Sequence, residues 1–383
     1  MVICIDVTEM LNVDFISGIQ RVVKEILIRW IQNNTFDLQL LKYDFAKECF
    51  VLVDNEKFYD YYTGKYLQKD ELLTKDFILL KDFRENMIFF DMDSVWMNFC
   101  KRSWLLPILK KQGVRTAALI YDIIPITDSQ YCHEFTTLNF MEYLGAHLKY
   151  SDLIITNAEA TKNAISELIL DTEVKTLNCK VVKLGSDFET KKSGDKQIRE
   201  QVKSIVSKGK YVLMVGTLEP RKNHQYALRA FEKKLFQKNL NLVFAGRVGW
   251  NIEKFVEQVH QHSKYDTQLF HIQDASDTEI NYLYENAFVV AFPSFNEGFG
   301  LPIIEAFDRG IPVLAADKAV LREVGGDYCE YFNLNNIDEF IKEIEELMNK
   351  PEKYCYLKKK IEGYKKTMWE ETALNMGALL TNL

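Results

Sequence analysis

Several common signals are missing from this sequence, and each absence narrows the field. No uninterrupted apolar run approaches the roughly 18 residues that span a membrane as a helix. The N-terminus, MVICIDVTEM, has neither the charged leader nor the long apolar core of a signal peptide, so a cytoplasmic protein is expected. Positive charge is not in excess. The formal net charge of -7 argues against nucleic acid as a partner, which would need a basic footprint. Seven cysteines stand at 4, 49, 100, 132, 179, 329 and 355, and no pair has metal-ligand or redox spacing. They read as reduced cysteines of an intracellular protein. Solenoid repeats and low-complexity tracts are absent. So are the three-glycine fingerprint of dehydrogenases and the glycine-lysine phosphate loop.

What is present suggests two domains. A chain of 383 residues exceeds the usual size of one core, and 47% hydrophobic and 13% aromatic content can fill two. Strand-like and helix-like segments alternate: VICIDV, then IQRVVKEILIRWIQ, FDLQLLKYD, NMIFFDMD, WLLPILKKQG, TAALIYDIIP, SDLIITNA and EATKNAISELI. Residues 46–85 are polar and read as irregular, and Pro107 is expected to interrupt its helix. From 186 to 209 the chain is charged and poor in apolar residues, as a linker with a lead-in helix would be. A second alternating series starts at YVLMVGTL and includes SDTEINYLYENA, in which Ser276 and Glu279 have capping-box spacing. Such alternation predicts parallel sheets with crossover helices. The expected domains are 1–187, a linker at 188–209, 210–364, and a tail at 365–383 packing back on the first domain through Trp369.

NEGFGLPIIEA, residues 296–306, carries the chemistry. Gly298 and Gly300 allow a tight turn after the strand-like FVVAFPS, and Pro302 suits the start of a helix that runs to Gly310. Free amides at a helix mouth favour an anion. Glu297 and Glu305 flank that mouth, and carboxylates there suit hydroxyls better than a phosphate. A ligand with both phosphate and diols is a nucleotide sugar.

VGTLEPRKNH, FAGRVGWN, SDTEINYLYENA and FPSFNEGFGLPIIEAFDRGIPVLAAD, taken in this order, resemble the donor-binding half of retaining glycosyltransferases of family 4. That resemblance implies the GT-B fold: an α/β chain of two Rossmann-like, doubly wound domains facing across a cleft. It implies that Arg221 and Lys222 neutralise the pyrophosphate, where charge builds on the leaving group. It assigns Glu305 to the ribose hydroxyls and Glu297 to the donor sugar. The amides of Phe299, Gly300 and Leu301 become the anion cradle, and Gly216 and Ile272 complete the donor set. Weaker features place Gly18 at a loop over the phosphate and Asp122 among the catalytic residues. Each assignment has a plainer alternative: a solvated helix start, loop and surface glutamates, an ordinary turn glycine. No nucleophile presents itself, so a covalent carboxylate intermediate and a front-face path both stay open.

Tyr121 stands where many relatives have histidine. An apolar ring with one hydroxyl there suits a 6-deoxyhexose or mannose-type donor, or merely fills space. His133 is the alternative group for that position. The donor is a GDP-, dTDP- or UDP-linked sugar, and the acceptor a glycan or polyprenyl-linked glycan of surface polysaccharide synthesis. No cofactor and no metal are expected: the DMD at Asp91–Asp93 resembles the metal motif of the other large glycosyltransferase fold, but Arg221 and Lys222 already supply the charge. His260 and His262 have the wrong spacing for one helix face and read as exposed. The stretch NFCKRSWLLPILKKQGVR, with Phe99 and Trp104 among its cations, reads as a peripheral membrane surface or as an ordinary crossover helix. Two rival functions share the fold: a nucleotide-sugar epimerase, and an inactive nucleotide-sugar-binding partner subunit.

Overall fold

Most strands are buried on both faces, which demands helices on each side of a parallel sheet. The computed structural model describes residues 1–14, 17–170, 177–187 and 198–383. It divides into two units, Met1–Gly185 with Thr367–Leu383, and Ser186–Lys366. Much of the expected linker, 188–197, lies outside the described residues. The remainder ends in a helix at Glu200–Ser207.

Unit 1 is built on eight strands: β1 (Val2–Asp6), β2 (Asp37–Asp44), β3 (Cys49–Val53), β4 (Leu73–Leu79), β5 (Met87–Asp91), β6 (Arg115–Ile120), β7 (Leu153–Thr156) and β8 (Cys179–Val181). Their order is β4-β3-β2-β1-β5-β6-β7-β8. The β2-β3 and β3-β4 pairs are antiparallel and the rest parallel. Residues 46–85 are therefore not irregular. They form an antiparallel extension with a helix at Asn55–Tyr62, capped by Asp54 accepting from Lys57 N. Phe50 faces inward against Phe83 and Phe89, while β4 is largely exposed, so the run lacks the apolar density of the parallel strands.

The helix Gly18–Gln32 buries Val22, Val23, Ile26, Leu27 and Trp30, a stripe at helical spacing. Trp30 donates its indole N–H to Ala373 O (3.0 Å) in the last helix, Trp369–Thr381. That helix is held further by Thr372 Oγ1 on Lys183 O (2.8 Å), and Trp369 is fully buried against Gly185. Pro107 does not interrupt its helix, which runs Arg102–Lys111. Burial of Leu105, Leu106 and Leu109 outweighs the backbone bond lost there.

At the C-terminal ends of β1 and β5 lies a buried ionic network. Arg102 donates to both oxygens of Asp91 (2.6 Å each), to Asp6 (2.7 Å) and to Cys100 O (2.8 Å), and His147 Nε2 lies 3.0 Å from Asp91. Burial would raise the Asp91 carboxyl, but Arg102 and then His147 overcome it and hold the group at about 2. Asp93 takes another path: burial lifts it to about 6, although it accepts from Ser94 N (2.7 Å), Met10 N (2.7 Å) and Gln20 Nε2 (3.0 Å). Both acids of the DMD motif are thus engaged within the fold.

Unit 2 has six parallel strands: β9 (Tyr211–Val215), β10 (Asn241–Ala245), β11 (Leu269–Ile272), β12 (Val289–Phe292), β13 (Val313–Ala316) and β14 (Glu330–Phe332). Their order is β11-β10-β9-β12-β13-β14. The chain winds outward from β9 to β11, then restarts at β12 on the other side of β9. Loops after β9 and β12 therefore diverge at the switch point, where open α/β sheets bind ligands.

Candidate functional site

The loop after β9 leaves the sheet at Gly216, whose φ of +128° lies where side chains are strained. A Cβ there would also press on Lys222 Cε at 3.1 Å, so the glycine lets the lysine lie across the strand end. The loop passes through Glu219 into a single turn, Pro220–Lys222, then through Asn223 in the left-handed region to the helix His224–Lys233. The loop after β12 is tied to it, Phe295 N donating to Arg221 O (2.9 Å) and Arg221 Nη1 to Asn296 O (2.6 Å).

Four charges meet where these loops touch. Glu297 is 2.6 Å from Arg221 Nη1 and 3.1 Å from Lys222 Nζ, and it accepts from Ser294 Oγ (2.8 Å). Glu219 takes the other end of Arg221. Burial would raise the Glu297 carboxyl, but Arg221 and Lys222 hold it down at about 2. His224 lies just behind, buried, with neither ring nitrogen hydrogen-bonded among the described residues. Burial, then Lys222, keep it uncharged with a pKa of about 3. The quartet is formally neutral, with both cations held by carboxylates of the site itself.

Gly300 (φ +106°) turns the chain into the helix Leu301–Asp308. Pro302 occupies its second position, one later than the sequence suggests. The amides of Phe299, Gly300 and Leu301 precede the first turn, closed by Ile303 N on Gly300 O (2.9 Å). Glu305 is buried one turn on, and its Oε2 accepts from Tyr284 Oη at 2.7 Å. Tyr284 stands on the helix Asp277–Asn286, which opens with the capping box expected from Ser276 and Glu279. Ile272 ends β11 on the same edge of the sheet, its carbonyl accepting from Gly246 N (2.9 Å).

Thus Gly216, Arg221, Lys222, Glu297, Phe299, Gly300, Leu301 and Glu305 converge on one edge of unit 2. The other candidates belong to unit 1. Tyr121 is buried and its hydroxyl donates to Met92 O (2.7 Å), so it is a packing group with its polar end satisfied, not one that offers its hydroxyl to a ligand. Asp122 Oδ1 accepts from Ile124 N (3.0 Å), the first residue of a short helix, Ile124–Thr127. His133 is exposed at the start of the helix Glu134–Tyr150. Gly18 opens its helix with nothing within 4 Å of an added Cβ. His260 is exposed as expected, with its Nε2 3.3 Å from His271, while His262 packs on the Phe236 ring. Tyr284, Glu219 and Ser294 were not singled out in the sequence. Only the helical period of INYLYENA hinted at a buried Tyr284, and nothing marked its partner.

Residues 195–363 match the family model described as glycosyl transferases group 1. The serotype-specific mannosyltransferase WbdA of Escherichia coli is 26% identical over 353 residues, covering 89% of this chain and 42% of that protein. The chain therefore spans about two fifths of the length of that relative. The O-antigen chain mannosyltransferase B of Escherichia coli is 28% identical over 227 residues, 58% of each chain. Among solved structures, Anabaena Alr3699/HepE in complex with UDP and glucose superposes with a TM-score of 0.68 over 100% of both chains, at 13% identity. Two doubly wound units, the diverging loops of the second and these likenesses agree: residues 195–363 match the glycosyl transferases group 1 model, and the chain has the GT-B fold.

Proposed function

We propose that the protein transfers a mannose-type sugar, with retention, from a nucleotide sugar to a glycan or lipid-linked glycan in surface polysaccharide synthesis. The supporting observation is the charged quartet at the switch point of unit 2. An incoming diphosphate displaces Glu297 from Arg221 and Lys222, and the two cations then stabilise the charge that grows on the leaving phosphate. The amides ahead of the helix Leu301–Asp308 receive further phosphate oxygens. Glu297, released, turns to the sugar, and Glu305 accepts from the ribose hydroxyls. Because two cations serve the diphosphate, the reaction runs without a metal.

Mannose is favoured over a 6-deoxy sugar for two reasons. Tyr121 is buried with its hydroxyl on Met92, so it does not present the apolar face that would select a methyl at C6, and the relatives above are named as mannosyltransferases. Transfer takes place at the cytoplasmic face of a membrane. No described helix is long and apolar enough to cross one, but Phe99 (76% exposed) stacks on the exposed Phe45, a surface suited to peripheral contact.

The test is release of nucleoside diphosphate from GDP-mannose, dTDP-rhamnose and UDP-glucose, with and without a mannose-terminated acceptor. Acceptor-dependent release from GDP-mannose supports the proposal. Preference for UDP-glucose overturns the donor assignment, acceptor-independent conversion points to an epimerase, and binding without turnover to an inactive partner subunit.

A further inference from the structure

We propose that Tyr284 is a positioning residue that sets the carboxylate of Glu305 for the donor's ribose. The inference rests on the reading of Glu305 as the ribose acceptor and adds how that acceptor is aimed. Glutamate has three rotatable side-chain bonds, and a free carboxylate samples many directions. Two vicinal hydroxyls need one carboxylate in a fixed plane. Tyr284 supplies the constraint, because it is fully buried and its hydroxyl donates to Glu305 Oε2 at 2.7 Å.

The phenol is itself held in place. Arg309, which caps the C-terminal end of the Glu305 helix, places its guanidinium 5.2 Å from the centre of the Tyr284 ring. The same side chain donates to Glu305 O (2.7 Å) and to Asn281 Oδ1, one turn before Tyr284 on the neighbouring helix. Asn281 and Tyr284 on one helix are thus locked to Glu305 and Arg309 on the other. The capping box at Ser276 and Glu279 fixes the start of the first helix, and Gly300 the start of the second. The aim of Glu305 is therefore inherited from two rigid helices, which lowers the entropy lost when ribose binds.

Tyr284→Phe keeps the ring, its burial and the Arg309 contact, and removes the hydrogen bond donated to Glu305. Calorimetry with GDP and UDP, each against its 2′,3′-dideoxy form, reads the ribose contribution directly, while dTDP, with only a 3′-hydroxyl, reads that group alone. Wild-type protein should bind the hydroxylated form of its preferred nucleotide more tightly. Tyr284→Phe should weaken that form by about ten- to hundredfold, as for the loss of one charged hydrogen bond, and leave the dideoxy form unchanged. Glu305→Gln should abolish the preference. If Glu305→Gln keeps the preference, or no nucleotide binds the wild type, the ribose reading itself fails. If Glu305→Gln removes it while Tyr284→Phe leaves both affinities intact or weakens both equally, the positioning role is overturned and the ribose reading stands.

Discussion

Replacing Arg102 with methionine should cost unit 1 a large part of its stability. The guanidinium makes four hydrogen bonds, two to Asp91 and one each to Asp6 and Cys100 O, at 2.6–2.8 Å. Arginine and both acids are at most 1% exposed. Methionine fills much of the volume but leaves two buried carboxylates without their cation. Breaking such a pair from one side costs about 3–5 kcal/mol, against a total of roughly 5–15 for a typical domain. Four of the five tryptophans, 30, 96, 104 and 369, lie in unit 1, so intrinsic fluorescence during urea unfolding reports mainly on that unit. The deficit should be greatest near pH 8 and shrink towards pH 5, because the abandoned carboxylates take up protons in the fold. In the wild type the dependence is opposite. Asp91, held at about 2, contributes stability above its ordinary pKa of about 4, and that is lost as pH falls towards 2. A cost below about 1 kcal/mol, as for an exposed pair, would refute the reasoning.

Other outcomes follow from the same structure. Glu305→Ala should weaken nucleotide binding by about 1.5–3 kcal/mol in calorimetry, whereas Arg221→Ala should lower kcat more than it raises the Kd for nucleotide. Activity should survive EDTA; abolition with rescue by Mn²⁺ would return the diphosphate to a metal. Asp93, lifted to about 6, should contribute stability that is fully present below pH 4 and lost as pH rises through 6, by about 3 kcal/mol. Asp93→Asn should flatten that part of a urea-midpoint profile between pH 4 and 8.

The parallel core was readable because strands such as Val2–Asp6 and Val289–Phe292 are buried throughout and announce themselves as short apolar runs. The β3-β4 extension was not, because along these two strands only Cys49, Phe50, Val53 and Ile78 are buried, too sparse a set to stand out as an apolar run. The glycine turn at 298–300 and the Arg221-Lys222 pair were visible as motifs. Their mutual arrangement was not: composition gives two cations and two carboxylates, and only the loops' meeting shows Glu297 bridging both cations. Tyr284 and Glu305 are 21 residues apart, too far for any local period to relate them. Tyr121 illustrates the reverse case, since the residue type was noted but the acceptor that satisfies its hydroxyl lies on another strand's loop.

The return of the helix Trp369–Thr381 to unit 1 has a consequence for synthesis. All of residues 186–366 are translated between the two parts of that unit. At about 5–20 residues per second, the ribosome takes roughly ten to forty seconds to cross them. During that interval unit 2 can finish folding, while Trp30 and Gly185 wait uncovered for partners not yet made. Of the two units, the one whose sequence comes first is completed second, and its apolar seam stays open to a chaperone in the meantime.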